Sequence, residues 1–230
     1  MWIFIVTYAR SGSTLLQGLL NTSSDIHVTG ENGNFLYKIY EAWDAIERHK
    51  VIAGRNVKRT SVHPFYGIDW MSSEIFDRHI RALARELIMA SCPKEKTPLS
   101  LGFKEIRYPY VDDLKGYLLF LAKCFDSSTF IFLTRALHDV SNSVLFDNLT
   151  DSERAALVES FARFERDCIQ VAKKLSNSIF LDYNDLVSDQ SALVSKLNEC
   201  GIKLDEDAVA AALEIPHSYA TTARADDRTC

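Results

Sequence analysis

Four short runs of apolar, β-branched or aromatic residues recur along this chain, and they limit its fold more than any other feature. The runs occupy residues 2–7, 99–103, 129–133 and 179–181. Because they are apolar throughout, they are typical of strands buried on both faces of a parallel sheet. The segments between them carry apolar residues at helical spacing. Strands that alternate with helices in this way predict an α/β layered fold with a mainly parallel central sheet flanked by helices.

Two helical segments are marked clearly enough to be placed. Apolar residues recur at helical spacing at Phe76, Ile80, Leu83, Leu87 and Ile88. We expect this stripe to face the core. A second, longer helix is predicted to begin at residues 150–153, where Thr-Asp-Ser-Glu forms a capping-box sequence.

The domain organisation follows from length and from the absence of sequence breaks. A chain of 230 residues is long enough to bury one substantial core. No internal repeat, low-complexity tract or Pro/Gly-rich linker divides the sequence. We therefore expect residues 1–230 to form a single domain.

The charge of the chain excludes one class of partner. Acidic residues outnumber basic residues by 31 to 26, which gives a formal net charge of -5. A protein held on a polyphosphate backbone carries the opposite sign, so we do not expect nucleic acid as a partner. A small anionic ligand must then be held by a few local cations and backbone amides.

The cysteines and the opening segment indicate the cell compartment. The five cysteines are Cys92, Cys124, Cys168, Cys200 and Cys230. They are odd in number and form no C-x-x-C pair, which is typical of free thiols in a reducing compartment. The apolar opening at residues 1–6 is too short for a signal-peptide core or a membrane span. We expect a cytoplasmic protein without a transmembrane segment.

The first strand leads directly into a loop that suits a phosphate group. Residues 7–14 are T-Y-A-R-S-G-S-T, and a leucine-rich helix follows at once. A strand, a small-residue loop and a helix start together direct backbone N–H groups at an anion. Gly12 permits close approach and Arg10 offers a permanent charge, while Ser13 and Thr14 add hydroxyls. The alternative is a capped turn whose hydroxyls merely end the helix.

This loop differs from the Walker A loop of nucleotide kinases. The pattern G-x-x-x-x-G-K-[ST] is absent, and no lysine stands next to the hydroxyl pair. Thr134 and Arg135 also stand where such an enzyme needs an aspartate for Mg²⁺. A P-loop kinase or NTPase remains an alternative, as does a non-catalytic module that binds an anion on the same scaffold.

A second buried strand ends on an arginine. Residues 129–133 lead into Arg135, and Ser143 follows eight positions later. Ligands of open α/β folds bind beyond the carboxyl ends of the strands, so we expect Arg135 to contact a phosphate. If a helix follows, Ser143 lies about two turns along it. The alternative is a surface ion pair between Arg135 and Asp139, with Ser143 exposed on that helix.

These motifs together resemble the sulfotransferase family. T-Y-A-R-S-G-S-T is similar to the family's 5′-phosphosulfate loop, in which Lys or Arg precedes S-G-[ST]-T, and the arginine and serine are similar to its 3′-phosphate site. The segment L-D-Y-N-D-L resembles one whose tyrosine lies near the adenosine. The resemblance implies a P-loop-like fold that uses 3′-phosphoadenosine 5′-phosphosulfate (PAPS). The sequence has no carboxylate cluster or H-x-x-x-H pattern that would build a metal site, so we expect no metal ion. The residues that it assigns to the donor are Arg10, Ser11, Gly12, Ser13, Thr14, Arg135, Ser143 and Tyr183.

The resemblance also implies an in-line transfer of the sulfuryl group and the cations that assist it. Arg10 becomes the partner of the leaving 5′-phosphate oxygen. Lys104 closes another predicted strand and is similar to the family's catalytic lysine. A lysine paired with the neighbouring Glu105 at the strand end is the alternative, and the sequence does not choose between the two.

The base that takes the acceptor proton is assigned by the same resemblance. Cytosolic animal-type members have a histidine where this chain has Ile106. Bacterial-type and tyrosyl-protein-type members use a glutamate after the first helix, and Glu31 between two glycines matches that placement. A desolvated carboxylate beside the phosphate loop is able to take a hydroxyl proton. His63 is the next candidate.

Two features depart from the family pattern. Leu15 stands where many cytosolic members have an aromatic residue that stacks on adenine. The C-terminal R-K-G closing loop is missing, and residues 217–221 are the candidate replacement.

The sequence indicates a segment that binds the acceptor and a class of acceptor. Residues 30–98 are long for a simple crossover, so we expect this segment to bind the acceptor or to form a lid. Trp43, Tyr66 and Trp70 are candidates for stacking on sugar faces, with a role in the core as the alternative. The resemblance to bacterial-type members favours a glycan or a lipid-linked saccharide over a small-molecule alcohol or phenol.

Overall fold

Five parallel strands form one central sheet in the computed structural model, which describes residues 1–54 and 57–214. The strands are β1 (Trp2–Val6), β2 (Ile26–Thr29), β3 (Ser100–Glu105), β4 (Ser128–Thr134) and β5 (Ser178–Asp182). Their order across the sheet is β2-β3-β1-β4-β5, and every neighbouring pair is parallel. The predicted α/β fold with a parallel central sheet is confirmed.

Helices connect these strands and cover both faces of the sheet. They are α1 (Ser13–Asn21), α2 (Phe35–Ala53), α3 (Ser73–Ala90), α4 (Leu114–Cys124), α5 (Leu137–Ser141), α6 (Asp151–Ala172), α7 (Tyr183–Val187), α8 (Gln190–Glu199) and α9 (Glu206–Leu213). Short 3₁₀ turns lie at Ile68–Trp70, Tyr108–Tyr110 and Val144–Phe146. The capping box predicted for the long helix is confirmed, because Thr150 and Glu153 cap each other at the start of α6. None of the described helices is long and apolar enough to cross a membrane.

Side chains that alternate along the strands divide the core into two layers. Phe4 and Val6 of β1 point to one face, where they pack with residues of α3, α4 and α6. Ile3 and Ile5 point to the other face and pack against α1, α8 and α9. Because successive side chains of a strand face opposite sides, a strand covered on both sides must be apolar at every position. This is why the strands appear in the sequence as uninterrupted apolar runs.

Two details of the fold differ from the sequence prediction. β2 was not among the predicted strands, because its four residues alternate between buried and half-buried positions and form no apolar run. In α3 the buried positions are Ile80, Ala84 and Ile88, whereas Leu83 and Leu87 are 43% and 49% exposed. The helix therefore contacts the core along a single i, i+4 stripe, and the two leucines lie beside that stripe.

The carboxyl ends of all five strands bring the predicted site residues to one edge of the sheet. Arg10 follows β1, Glu31 follows β2, and Lys104 is the penultimate residue of β3. Arg135 and Tyr183 follow β4 and β5 directly. Parallel strands have their carboxyl ends on the same side, so residues separated by more than 170 positions in sequence share this edge.

Candidate functional site

The loop between β1 and α1 has the backbone shape of an anion site. Arg10 and Gly12 both adopt left-handed conformations, with φ angles of 67° and 90°. Gly12 is the N-cap residue of α1, and the backbone N–H of Leu16 donates to its carbonyl at 3.2 Å. The first N–H groups of a helix have no partner inside the helix, so α1 presents donors beside this loop. Arg10 and Thr14 are exposed there.

The hydroxyl groups of this loop do not serve as helix caps. No side chain caps the start of α1. Ser11 is fully buried, and its Oγ has no hydrogen-bond partner within the part of the chain that the structure describes. Leaving a buried hydroxyl without a partner costs about 1–3 kcal/mol. The capped-turn alternative is therefore not what the chain forms, and a ligand oxygen in the loop would supply the missing partner.

Tyr183 packs directly against the β1–α1 loop. A Cβ atom placed on Gly12 would lie 2.4 Å from Cδ2 of Tyr183, far closer than two carbon atoms approach. Tyr183 is the first residue of α7, directly after β5. Glycine at position 12 therefore meets two needs, a positive φ and contact with an aromatic ring.

We expect Gly12→Ala to lower the free energy of unfolding by about 2–5 kcal/mol, because it adds both left-handed strain and a clash with Tyr183. Gly201→Ala is the matched control, since Gly201 has a φ of 80° and nothing within 4 Å of an added Cβ. The control is expected to lose only about 1–2 kcal/mol. Urea unfolding of both variants measures the difference. Equal losses would show that Tyr183 does not lie on Gly12.

Arg135 lies on the same tyrosine and reaches the β1–α1 loop. Its guanidinium carbon is 4.2 Å from the centroid of the Tyr183 ring, and its Nη1 donates to the carbonyl of Arg10 at 3.4 Å. The alternative ion pair of Arg135 with Asp139 is not formed, and the Asp139 carboxylate lies 3.6 Å from Nδ1 of His138. Among the described residues, the Nε of Arg135 has no partner although it is buried. The arginine is thus available to an incoming anion.

Ser143 does not occupy the position that a continuous helix after Arg135 would give it. α5 ends at Ser141, and Ser143 is the N-cap residue of the following 3₁₀ turn. Its hydroxyl accepts a hydrogen bond from the backbone N–H of Leu145 at 3.4 Å. The helix is only five residues long, so a serine two turns along it was a wrong expectation about its local structure. A contact between Ser143 and a phosphate stays a prediction.

Lys104 and Glu31 form an ion pair at the edge of the sheet. The Nζ of Lys104 lies 2.9 Å from Oε1 of Glu31, and the lysine side chain is 5% exposed. The alternative pairing of Lys104 with Glu105 is not formed. β2 and β3 are neighbours in the sheet, and this brings the loop after β2 over the end of β3. The predicted lysine and the predicted base are thus in direct contact.

Glu105 holds the loop that carries Glu31. This buried carboxylate accepts hydrogen bonds from the backbone N–H groups of Asn32 and Asn34 at 3.2 and 2.7 Å. It also accepts from those of Ile106 and Arg107 at 2.8 and 3.1 Å. Four donors compensate a buried charge that would otherwise be costly. Glu105 thereby fixes residues 32–34 relative to the end of β3.

Tyr8 is a residue of the site that the sequence did not reveal. It is fully buried, and its hydroxyl lies 2.6 Å from Oε1 of Glu165. The same hydroxyl accepts from the backbone N–H of Arg135 at 2.9 Å. The partners are 127 and 157 positions away, so no local pattern marks this tyrosine as more than part of the loop motif.

Comparison with known proteins places these features in a family. The sequence profile of the Sulfotransferase family matches residues 3–206. The chain belongs to the Sulfotransferase family. It is therefore an enzyme of the transferase class, and the identification made from the sequence motifs is confirmed. A search of curated proteins gives no match.

The similar solved structures include two sulfotransferases. The sulfotransferase domain of the Synechococcus PCC 7002 olefin synthase is similar with a TM-score of 0.54 and 20% identity, over 90% of this chain and 74% of that one. The sulfotransferase STF9 from Mycobacterium avium gives a TM-score of 0.48 and 13% identity, over 94% and 68% of the two chains. A retinol dehydratase in complex with androsterone and the inactive cofactor PAP gives 0.41 and 14%, over 93% and 63%. The first of these similarities supports the fold.

Two further predictions concern the C-terminal closing loop and the metal ion. Residues 217–221, the candidate replacement for the closing loop, lie outside the described residues. Within 1–54 and 57–214, no group of three or more His, Cys, Asp and Glu side chains is arranged to hold a metal ion.

The alternative base, His63, makes a hydrogen bond within its own segment. Its Nδ1 accepts from the backbone N–H of Phe65 at 3.1 Å.

Proposed function

We propose that this sulfotransferase transfers the sulfuryl group of PAPS to an acceptor hydroxyl, on a glycan or a lipid-linked saccharide. The observation that carries the proposal is the meeting of Arg135 with the β1–α1 loop over the ring of Tyr183. Two cationic side chains and a helix start at adjacent strand ends suit a ligand with two separated phosphate groups.

The donor is proposed to bind across β1, β4 and β5. Its 5′-phosphosulfate occupies the β1–α1 loop, with the Ser11 hydroxyl, the first N–H groups of α1 and the Arg10 guanidinium as donors. Its 3′-phosphate contacts Arg135 and Ser143, and its adenosine lies near Tyr183. The unpartnered polar atoms of Ser11 and Arg135 support this placement, because a ligand oxygen at each would remove the cost of leaving it unpaired.

The reaction is proposed to be an in-line displacement at sulfur. The acceptor oxygen forms a bond to sulfur while the bond from sulfur to the 5′-phosphate oxygen breaks, and 3′-phosphoadenosine 5′-phosphate (PAP) leaves. Glu31 takes the proton of the acceptor hydroxyl. Arg10 and Lys104 stabilise the oxygens that gain negative charge. The proposal assigns no step to a metal ion.

The ion pair of Lys104 and Glu31 suits both roles. The 2.9 Å contact places the proposed base directly beside the proposed catalytic lysine. When the proton arrives, the carboxylate charge is neutralised, and the attraction between Lys104 and Glu31 weakens. The lysine is then freer to contact the leaving oxygen as its charge develops. One proton transfer thus serves base catalysis and the stabilisation of the leaving group together.

The acceptor is proposed to bind along residues 30–98. Tyr66 and Trp70 are exposed and contact each other edge to face at 5.4 Å, an arrangement that leaves aromatic surface for a sugar ring. Trp43 packs against Tyr40 and Phe120, so we assign it to the core instead. We also place the enzyme in the cytoplasm, in keeping with the four free cysteines among the described residues.

Calorimetry with PAP, followed by transfer of radiolabelled sulfate from PAPS, tests this function. We expect PAP to bind and label to appear on a saccharide acceptor, with little on simple alcohols or phenols. Label on phenols alone would contradict the acceptor class. Magnesium-dependent ATP hydrolysis without PAP binding would contradict the donor, and PAP binding without transfer to any acceptor would indicate a binding module.

A further inference from the structure

We propose that the hydroxyl of Tyr8, held by Glu165, positions Arg135 and so makes the enzyme select nucleotides that carry a 3′-phosphate. This inference rests on the proposed donor site. Tyr8 is a positioning residue here, because it acts on the ligand only through Arg135. Tyr8 belongs to the β1–α1 loop, which is proposed to bind the 5′-phosphosulfate end of the donor.

The Tyr8 hydroxyl contacts both main-chain groups of Arg135. The backbone N–H of Arg135 donates to the hydroxyl at 2.9 Å, and the carbonyl of Arg135 lies 3.0 Å from it. The hydrogen bond from its N–H ties the main chain of Arg135 to the Tyr8 hydroxyl. Arg135 is the first residue after β4, where the ladder of the sheet no longer fixes the chain.

Glu165 sets the direction of the hydroxyl proton. A tyrosine hydroxyl has one proton to donate, and the shortest contact, at 2.6 Å, is with the Glu165 carboxylate. The hydroxyl oxygen then remains free to accept from the N–H of Arg135. Burial raises the pKa of Tyr8 and is also the largest influence raising the pKa of Glu165. The raised pKa of Tyr8 keeps its hydroxyl protonated at neutral pH.

The ring of Tyr8 is held as firmly as its hydroxyl. It stacks on Phe161 with ring centroids 4.5 Å apart and an interplanar angle of 12°, and it meets Phe164 edge to face at 6.1 Å. Phe161, Phe164 and Glu165 all belong to α6. The long helix thus supplies both the packing surface and the carboxylate, so the hydroxyl is a fixed point to which Arg135 is tied.

The side chain of Arg135 depends on this fixed point. In the described part of the chain it makes no ion pair, and its contacts are the Tyr183 ring and the carbonyl of Arg10. A guanidinium group that binds a phosphate in a fixed geometry needs a fixed backbone position, because a small displacement of the backbone becomes larger at the end of a long side chain. We infer that the anchor of its main chain, more than its own side-chain partners, sets where the guanidinium group points.

Tyr8→Phe tests the inference, because it removes the hydroxyl and keeps the stacked ring. Calorimetry compares two ligands that share a 5′-phosphate, PAP and AMP, of which only PAP carries the 3′-phosphate. We expect the affinity for PAP to fall roughly tenfold, about the loss of one hydrogen bond to a charged group, with the affinity for AMP unchanged. In turnover assays the KM for PAPS should rise about as much, with kcat at saturating PAPS within about twofold.

Tyr40→Phe is the matched control. Tyr40 is also buried, and its hydroxyl donates to Asp113 at 2.7 Å, so the variant loses an equivalent buried pair. It lies on α2 and has no part in the proposed donor site. Its PAP and AMP affinities are expected to equal those of the wild type. Glu165→Gln is the second test variant, for use if Tyr8→Phe does not fold. We expect it to lower the affinity for PAP and to leave the affinity for AMP unchanged.

The outcomes separate this role from the donor site itself. A wild-type protein that binds AMP as tightly as PAP overturns both the proposed 3′-phosphate site and the role of Tyr8. A wild type that prefers PAP, with variants that keep the full preference, overturns only the role of Tyr8. Equal losses for PAP and AMP also overturn it, since they indicate a loop that is generally loosened. In an Arg135→Ala background, Tyr8→Phe should cause no further loss of PAP affinity, because Tyr8 acts only through that arginine.

Discussion

Glu31→Gln is expected to lower kcat by about 10²–10⁴-fold while PAP affinity stays at the wild-type value. The amide has the size of the carboxylate, and its oxygen still accepts a hydrogen bond from Lys104. The loop that carries residue 31 is held separately, by the two hydrogen bonds from the backbone N–H groups of Asn32 and Asn34 to Glu105. The substitution therefore removes the proton acceptor and leaves the surrounding structure in place.

Single-turnover transfer from saturating PAPS, together with calorimetry of PAP binding, measures the two quantities separately. Glu199→Gln is the control, because Glu199 is an exposed glutamate of α8, outside both the proposed donor site and the proposed acceptor segment. The control should turn over at the wild-type rate. Near-normal turnover of Glu31→Gln would instead move the base to another group, with His63 first to be tested.

Arg135→Ala is expected to weaken PAP binding about 100-fold, which corresponds to roughly 2.7 kcal/mol. Hydrogen bonds to charged groups contribute about 1.5–3 kcal/mol each, so the loss of one strong bond or of two moderate bonds to the 3′-phosphate is enough. AMP lacks that phosphate, and its affinity should change little. The same calorimetric comparison of PAP with AMP measures both effects.

Arg85→Ala controls for the loss of one positive charge. Arg85 is an exposed arginine of α3, outside the proposed donor site, and its removal should leave both affinities unchanged. If Arg135→Ala weakened the binding of AMP as much as that of PAP, the role of the arginine would be to hold the β1–α1 loop in shape through its hydrogen bond to the Arg10 carbonyl. The assignment of the 3′-phosphate to the end of β4 would then be wrong.

Local sequence patterns were enough to predict most of the fold. Apolar runs predicted four of the strands; β1, β3 and β4 are buried on both faces, whereas the edge strand β5 leaves Phe180 37% exposed. β2 escaped because His27 and Thr29 are only half buried, which breaks the run. The helix α3 was placed, but the exposure of Leu83 and Leu87 depends on how the helix is rotated against the sheet. Rotation is a tertiary property, and spacing along the chain does not encode it.

The candidate site was predictable only where its parts are local. The β1–α1 loop and the arginine at the end of β4 are short motifs, and the sequence located both. The contact of Lys104 with Glu31 spans 73 residues and depends on β2 lying next to β3. The contacts of Tyr8 cross to β4 and α6 in the same way. The sequence named the lysine and the glutamate but left their partners open.

The order of the strands separates two tasks of the proposed reaction. The groups assigned to the nucleotide follow β1, β4 and β5, whereas the base follows β2 and its lysine closes β3. In the proposed mechanism, changes in the segment between β2 and β3 alter the choice of acceptor and leave the donor site unchanged. A scaffold built in this way can diversify its products while its supply of activated sulfate stays the same.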